Sequence, residues 1–202
     1  MTKIDINFRI WQDDDVFRRL MEGVDHRLTD DFFPSSISDD EAKRWVGEMY
    51  NRHYTGEMHY AIEWKDSVVG AISVTKCKGT YERNGALHLA ILPDCCGLGI
   101  GTEAVRMLLE QAPLHCSING GIVETSFSRL CASVVGDNPA AVRVLEKNGF
   151  SNEGPSFESI RKNGVLYEVK PYVFVIPPLD AQQENERKAK KKLLGYFFCM
   201  PD

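Results

Sequence analysis

Between Pro93 and Ala104 the chain reads Pro-Asp-Cys-Cys-Gly-Leu-Gly-Ile-Gly-Thr-Glu-Ala, three glycines alternating just before a run with helical spacing. Glycine removes side chains where a ligand must approach the backbone, and the N–H groups that open a helix converge on negative charge. The chemistry this suits is the holding of a phosphate. The loop has no Lys-Ser/Thr pair of the P-loop kind, which argues against a nucleoside-triphosphate hydrolase. Thr102 stands where a dinucleotide fingerprint needs its third glycine. No metal chemistry suggests itself. The cysteines Cys77, Cys95, Cys96, Cys116, Cys131 and Cys199 form no Cys-x-x-Cys pair, and His53 and His59 lack the spacing of a helical zinc motif.

The elements that must position this loop follow from periodicity. Ile4, Ile6, Phe8 and Ile10 alternate as a half-buried strand does, over Ile4–Trp11. Asp13-Asp14-Asp15 opens a helix carrying Val16, Phe17, Leu20 and Met21 on one face. Phe32-Phe33-Pro34-Ser35-Ser36 reads as a loop. Ser38 with Glu41 three later reads as a capping box for the next helix. Met58–Lys65 and Ser67–Cys77 form a hairpin, and a third strand, Ala86–Leu92, ends at Pro93. After the glycine loop comes a helix closed by Pro113, then Ser117–Ser126 as a surface loop and Leu130–Val135 as a short strand. Asn138-Pro139 starts another helix, with Asn as cap and Pro at its first position, and Asn148-Gly149 closes it. Two last strands, near Phe150–Ser159 and Val165–Ile176, are joined through Asn163-Gly164. Hairpins mixed with two crossovers call for an α/β chain of the α+β type. The expected sheet is mixed and mostly antiparallel, with about seven strands and helices on both faces.

With 202 residues, 43% apolar and 26% charged, the chain has the composition of one globular domain. We expect residues 1–178 to form that domain and residues 179–202 a charged, helical appendage carrying the basic run Arg187–Lys192. A net charge of −5 argues against nucleic acid as a partner. No run of 18 apolar residues is present, and the N-terminus is not a secretory signal. With its cysteines reduced, a cytoplasmic protein with no membrane partner is expected, as a monomer or homodimer.

A second segment gives the glycine loop its meaning. Asp137-Asn138-Pro139-Ala140-Ala141-Val142-Arg143-Val144-Leu145-Glu146-Lys147-Asn148-Gly149-Phe150 repeats the order strand, Asn, helix, Gly-Phe. Together the two segments resemble the signature regions of the GNAT superfamily, acyl-CoA-dependent N-acetyltransferases, and most of all the branch that acetylates ribosomal-protein N-termini. Phe32-Phe33-Pro34, Tyr60-Ala61-Ile62-Glu63 and Val69-Gly70-Ala71-Ile72 fit the same branch. The resemblance covers about residues 5–176.

It implies a GNAT fold and acetyl-CoA as co-substrate, with no metal. The amides of Gly97 to Thr102 would hold the coenzyme A pyrophosphate. Leu87–Leu92 would splay from Leu130–Val135, leaving a slot for pantetheine, where a backbone N–H near Ala90–Leu92 (Ile91 or Leu92) would polarise the thioester carbonyl. Asn138 and Arg143 would join the coenzyme site. Three departures stand out: Cys96 replaces a common Arg or Gln, Leu145 replaces the Tyr that often protonates the leaving thiolate, and Ala141 stands for a frequent Ser.

The expected reaction is direct attack of a primary amine on acetyl-CoA in a ternary complex, because no cysteine has an activated setting for an acyl intermediate. The attacking ammonium must first lose a proton. Glu63, His88 and Ser133 are the candidates, with His59 and Tyr60 beside them, or an ordered water chain. The first two helices, the Phe32-Phe33 loop and the last hairpin would wall the acceptor site. Through residue 60 the chain has 13 Asp/Glu against 8 Lys/Arg, which suits a cationic acceptor, a small amine or a peptide N-terminus. The missing Tyr and Ser keep open an alternative: an acyl-CoA-binding module with impaired catalysis and a regulatory or assembly role. A nucleotide-binding oxidoreductase would need a parallel sheet.

Overall fold

Near-continuous runs of apolar and small residues in Met58–Trp64 and Ser67–Lys76 give two strands buried on both faces over most of their length, and Asn84–Ile91 beside them alternates buried with half-buried positions over much of its length. That pattern requires helices above and below. The computed structural model describes residues 4–26, 32–34, 37–54, 56–77, 84–112, 116–119, 122–125, 127–155, 159–162, 164–178 and 180–182, with 185 and 189.

The elements, in order, are β1 (Asn7–Ile10), α1 (Asp14–Gly23), α2 (Asp39–Tyr54), β2 (Met58–Trp64), β3 (Ser67–Lys76), β4 (Asn84–Ile91), a 3-10 turn (Pro93–Cys95) and α3 (Ile100–Gln111). There follow β5 (Cys116–Asn119), β6 (Ile122–Thr125), β7 (Arg129–Val135), α4 (Pro139–Lys147), β8 (Ser151–Asn152), β9 (Ser159–Lys162) and β10 (Val165–Val175). The main sheet runs β1-β2-β3-β4-β7-β10-β8, with β9 paired to β10. Every described pairing in it is antiparallel except β4 with β7. This is the mixed, mostly antiparallel sheet expected from the sequence.

Two apolar layers hold it. On one face α3 sets Ile100, Ala104, Val105 and Leu108, all fully buried, against Ile62, Ile72, Val74 and Leu130. Each such aliphatic side chain contributes about 1.5–3 kcal/mol by leaving water. On the other face Trp11, Phe17, Leu20, Met21 and Phe33 cover the small residues Ala61, Ala71 and Ala90. Phe17 stacks on Trp45 at 3.9 Å and meets Trp11 edge-on at 5.1 Å. The alanines let α1 and α2 sit close to the sheet.

The helix ends follow the capping signals. Asp13 accepts from Val16 N–H at 3.2 Å. Ser38 and Glu41 bond reciprocally, Ser38 N–H donating to Glu41 Oε2 at 2.9 Å and Glu41 N–H to Ser38 Oγ at 3.4 Å.

Three expectations need correction. The first strand is shorter than Ile4–Trp11, being paired only over Asn7–Ile10. Ser117–Ser126 is not a loop: β5 and β6 pair as a two-stranded sheet with Ile118 opposite Val123. Its β-branched residues flank Gly120-Gly121, a hairpin signal in its own right. The strand expected over Phe150–Ser159 shrinks to Ser151–Asn152, because Asn152 Oδ1 accepts from Gly154 N–H at 2.8 Å and Gly154 takes φ 104°. Of the C-terminal segment, Arg187, Lys188 and residues 190–202 lie outside the described residues.

Candidate active site

The parallel pairing of β4 with β7 spans Asn84–Arg129 to Leu87–Ala132 and ends there. Beyond it β4 continues to Ile91 and β7 to Val135, so a slot opens between them. Its inner end is a small cavity of 80 Å³ bounded by His88, Ser133, Asn138 and Leu145. Its outer end widens into a cleft of 460 Å³ lined by Ile91, Gly97, Gly99, Ile100, Gly101, Thr102, Asn138 and Arg143.

The β3–β4 register says which backbone groups face the slot. Leu92 N–H donates to Val69 O at 2.9 Å, and Cys77 N–H to Asn84 O at 2.9 Å. In an antiparallel ladder such bonds recur at every second residue, so Ala90 and His88 also turn their backbones toward β3. Leu89 and Ile91 turn theirs toward the gap. The expectation for Leu92 is therefore corrected, since its amide is spent within the sheet. Ile91 keeps the geometry of a main-chain donor facing the slot.

At the mouth of the cleft, Gly97 and Gly99 take φ values of 76° and 89°. At Gly99 a Cβ would also come within 3.0 Å of Ile4 Cδ1. Gly99 is the N-cap of α3 and supplies no side-chain cap, unlike Asp13 on α1 and Asn138 on α4. The first amides of a 12-residue helix thus lie at the cleft with no side-chain cap from their N-cap residue, a cradle that fits a diphosphate. Arg143 and Lys147 stand on its rim, and Lys147 went unnoticed in the sequence, where it looks like any solvated helix residue. Leu98 is 46% exposed and turns to a separate cavity with Trp64 and Asp66.

Asn138 joins the two halves of the slot. Its Oδ1 accepts from Ala141 N–H at 3.0 Å, so the side-chain oxygen caps α4 while the residue lines both cavities.

On the acceptor side, alternation places His88 with Ala90 on the face covered by α1 and α2. Thr75 Oγ1 lies 3.0 Å from His88 Nε2. Phe32 stacks on the same imidazole at 4.1 Å and 15°. Ser133 shares the inner cavity with His88. Lys162 Nζ on β9 donates to His26 O just past α1, at 3.1 Å, so the last hairpin reaches the loop that carries Phe32.

Glu63 is placed elsewhere, contrary to its grouping with His88 and Ser133. It sits opposite Asn7 on β1, pairs with Arg9 at 2.9 Å, and lines the same separate cavity as Leu98. A bulge between Ile62 and Glu63 shifts the register there. His59 is fully buried, its Nε2 2.9 Å from Glu57 Oε2 and its Nδ1 3.1 Å from Ser73 Oγ. Burial pushes its pKa down, with Glu57 opposing. Burial pushes the Glu57 carboxyl up, but bonds from His59 and the Lys76 amide and the charges of His59 and Arg52 hold it below the usual value. Burial pushes the Tyr60 phenol up to about 12. The Phe32-Phe33 loop was expected to wall this site, whereas Thr75 and Glu57 were not foreseen in it; for Thr75 the period-2 row Ser73–Thr75 opposite His88 was the signal available.

Among the described residues no group of three or more His, Cys, Asp and Glu could hold a metal ion. No described helix is long and apolar enough to cross a membrane.

Comparison with known proteins agrees with this geometry. Residues 5–151 match the family described as Acetyltransferase (GNAT) domain. A Bacillus subtilis (strain 168) protein named Probable N-acetyltransferase YjcK is 36% identical over 133 residues, 62% of this chain and 65% of its own length. The chain thus spans about two thirds of that curated relative. Among solved structures, the ribosomal L7/L12 alpha-N-protein acetyltransferase RimL in complex with coenzyme A superposes with a TM-score of 0.67, at 18% identity, covering 85% of this chain and 94% of that one. The spermidine N-acetyltransferase from Vibrio cholerae, in complex with CoA and spermine, gives 0.60 at 18% identity, covering 85% and 95%. A match over most of its length, on a sheet that opens beside a glycine cradle, places this chain in the GNAT acetyltransferase family.

Proposed function

We propose that the protein transfers an acetyl group from acetyl-CoA to a primary amine by direct attack in a ternary complex. The observation that carries this is the end of β4–β7 pairing at Leu87 and Ala132, which opens a slot directly into the uncapped amides of α3. A pyrophosphate would rest on the amides from Gly97 to Thr102, with Leu98 contributing only its main chain. Arg143 and Lys147 would meet phosphate charge at the rim. The pantetheine arm would pair with Leu89 and Ile91 much as an added strand does.

In the reaction the neutral amine attacks the thioester carbon. The C–N bond forms, the C–S bond breaks, and coenzyme A leaves as a thiolate that takes up a proton. A main-chain donor at Ile91 suits the developing oxyanion. We assign the proton acceptor to His88, which reaches the acceptor side of the slot, with Ser133 beside it; Glu63 acts instead in the β1–β2 ion pair with Arg9. A thiol of pKa about 8.5 leaves with little help, so Leu145 in place of an acid slows the step without preventing it. The acceptor is a small amine or a peptide N-terminus, the two kinds named for the spermidine enzyme and RimL. Residues 1–178 would carry this activity, and residues 179–202 would be an appendage to it.

The test is thiol release from acetyl-CoA against a panel of polyamines, amino acids and N-terminal peptides. At least one amine is expected to support turnover, with His88→Gln about 10²- to 10⁴-fold slower. Coenzyme A binding with no thiol release across the panel would overturn the reading.

A further inference from the structure

β3 stands between β2 and β4, and its Ser73 lies opposite His59 on one side and opposite His88 on the other. Ala61, Ala71 and Ala90, each two residues along, pack beneath α1 and α2, so His59, Ser73 and His88 form one row on that face. His59 and Ser73 have no exposed surface, yet both ring nitrogens of His59 are engaged. The carboxylate is anchored too, its Oε1 accepting the Lys76 N–H at 3.1 Å. With His59 neutral, the protons can be placed: Nε2–H donates to Glu57, and Nδ1 accepts from the Ser73 hydroxyl. The Ser73 proton is therefore committed toward β2, and its lone pairs are left for the β4 side. Phe32 lies over both imidazoles, nearly parallel to each, at 6.1 Å and 12° from His59 and 4.1 Å and 15° from His88.

We propose that Glu57, His59 and Ser73 form a buried positioning relay for His88. This rests on the reading of His88 as the proton acceptor. Hydrogen bonds in such a carboxylate–imidazole–hydroxyl chain polarise one another in one sense. In a serine hydrolase the same sequence of groups ends on an exposed nucleophile. Here the hydroxyl is sealed in the core, so it acts on its neighbour in the row rather than on a substrate. Ser73 stands directly opposite His88 across the β3–β4 pair, and Thr75 Oγ1 lies 3.0 Å from the His88 Nε2. Together they keep the ring in one orientation and one tautomer, so that Nε2 receives the proton the amine gives up while the Thr75 hydroxyl turns to accept from it.

The experiment compares Glu57→Gln, Ser73→Ala, Ser73→Thr and His88→Gln in thiol release, with ¹⁵N imidazole spectra and thermal unfolding of each. Glu57→Gln and Ser73→Ala are expected to lower kcat about 5- to 20-fold, leave KM for acetyl-CoA within about twofold, and mix the His88 tautomers. Ser73→Thr, which keeps the hydroxyl, is expected to recover most of kcat. Should Ser73→Ala fail to fold, Glu57→Gln carries the test, since it alters one atom at the edge of the network. Wild-type kcat and unchanged His88 resonances in Glu57→Gln and Ser73→Ala, with His88→Gln slow, would overturn the relay. Full activity in His88→Gln would instead overturn the assignment of His88 on which it stands.

Discussion

Phe32 and His88 lie ring on ring, with centroids 4.1 Å apart and planes 15° apart, although 55 residues of chain, with α2, β2 and β3, separate them. The stack fixes the plane of an imidazole that lines the inner cavity of the slot. Aromatic pairs of this kind contribute about 0.5–1.5 kcal/mol beyond their burial. Phe32→Ala is expected to lower kcat/KM for the amine by about 2- to 10-fold and leave acetyl-CoA affinity unchanged. Steady-state kinetics with both substrates varied would decide it, and a loss confined to acetyl-CoA would count against this placement.

Gly99 tests the cradle. A side chain there must adopt a φ of 89° and come within 3.0 Å of Ile4. Gly99→Glu adds a carboxylate where a diphosphate is expected, and coenzyme A affinity by calorimetry should fall more than about tenfold. Unchanged affinity would put the pyrophosphate elsewhere.

His53 makes stability depend on pH. Burial, then the neighbouring His59, pushes its pKa down to about 4. In the unfolded chain it titrates near about 6.5. Above that pH both states hold it neutral. Between about 6.5 and 4 the unfolded chain binds a proton that the folded chain refuses, so stability falls as pH falls through that window. His59, also lowered, acts in the same sense. The Tm is expected to drop between pH 7 and pH 5, and His53→Gln to flatten part of the drop; an unchanged pH profile in that variant would remove His53 as its cause.

The β2–β3 hairpin turns on Lys65 and Asp66, with φ values of 51° and 61°. Two left-handed residues in a two-residue turn are what Asn-Gly adopts without strain. Replacing Lys65-Asp66 by Asn-Gly is expected to raise stability by about 0.5–1 kcal/mol, or about 1–4 °C in Tm. The cation–π contact of Lys65 over Trp64, at 4.2 Å, is lost in the exchange and sets how far the gain falls short.

Local signals read well from the chain and pairings across the sheet did not. The Ser38–Glu41 box, the Asn138 cap and the glycine turn depend on neighbours within a few residues, and each formed as its residue types require. The slot itself followed from the family resemblance. By contrast, the site assigned to Glu63 failed to join His88 because a bulge and an ion pair with β1 decide where Glu63 sits, and neither leaves a trace in residue spacing. Leu92 looked available until the register gave its amide to Val69. The partners of His88, on β3 and in the Phe32 loop, come from parts of the chain that meet only when the sheet is assembled.

The short parallel seam has a mechanical consequence. β2, β3 and β4 each pair with the next strand in the chain, as β9 and β10 do, while β4 and β7 must find one another across α3 and the β5–β6 ribbon. Closing so long a loop costs entropy that only four residue pairs repay. That seam is expected to form late in folding and to exchange its amide hydrogens early, so the slot proposed for the donor borders a join that opens more readily than the β2–β3–β4 ladder.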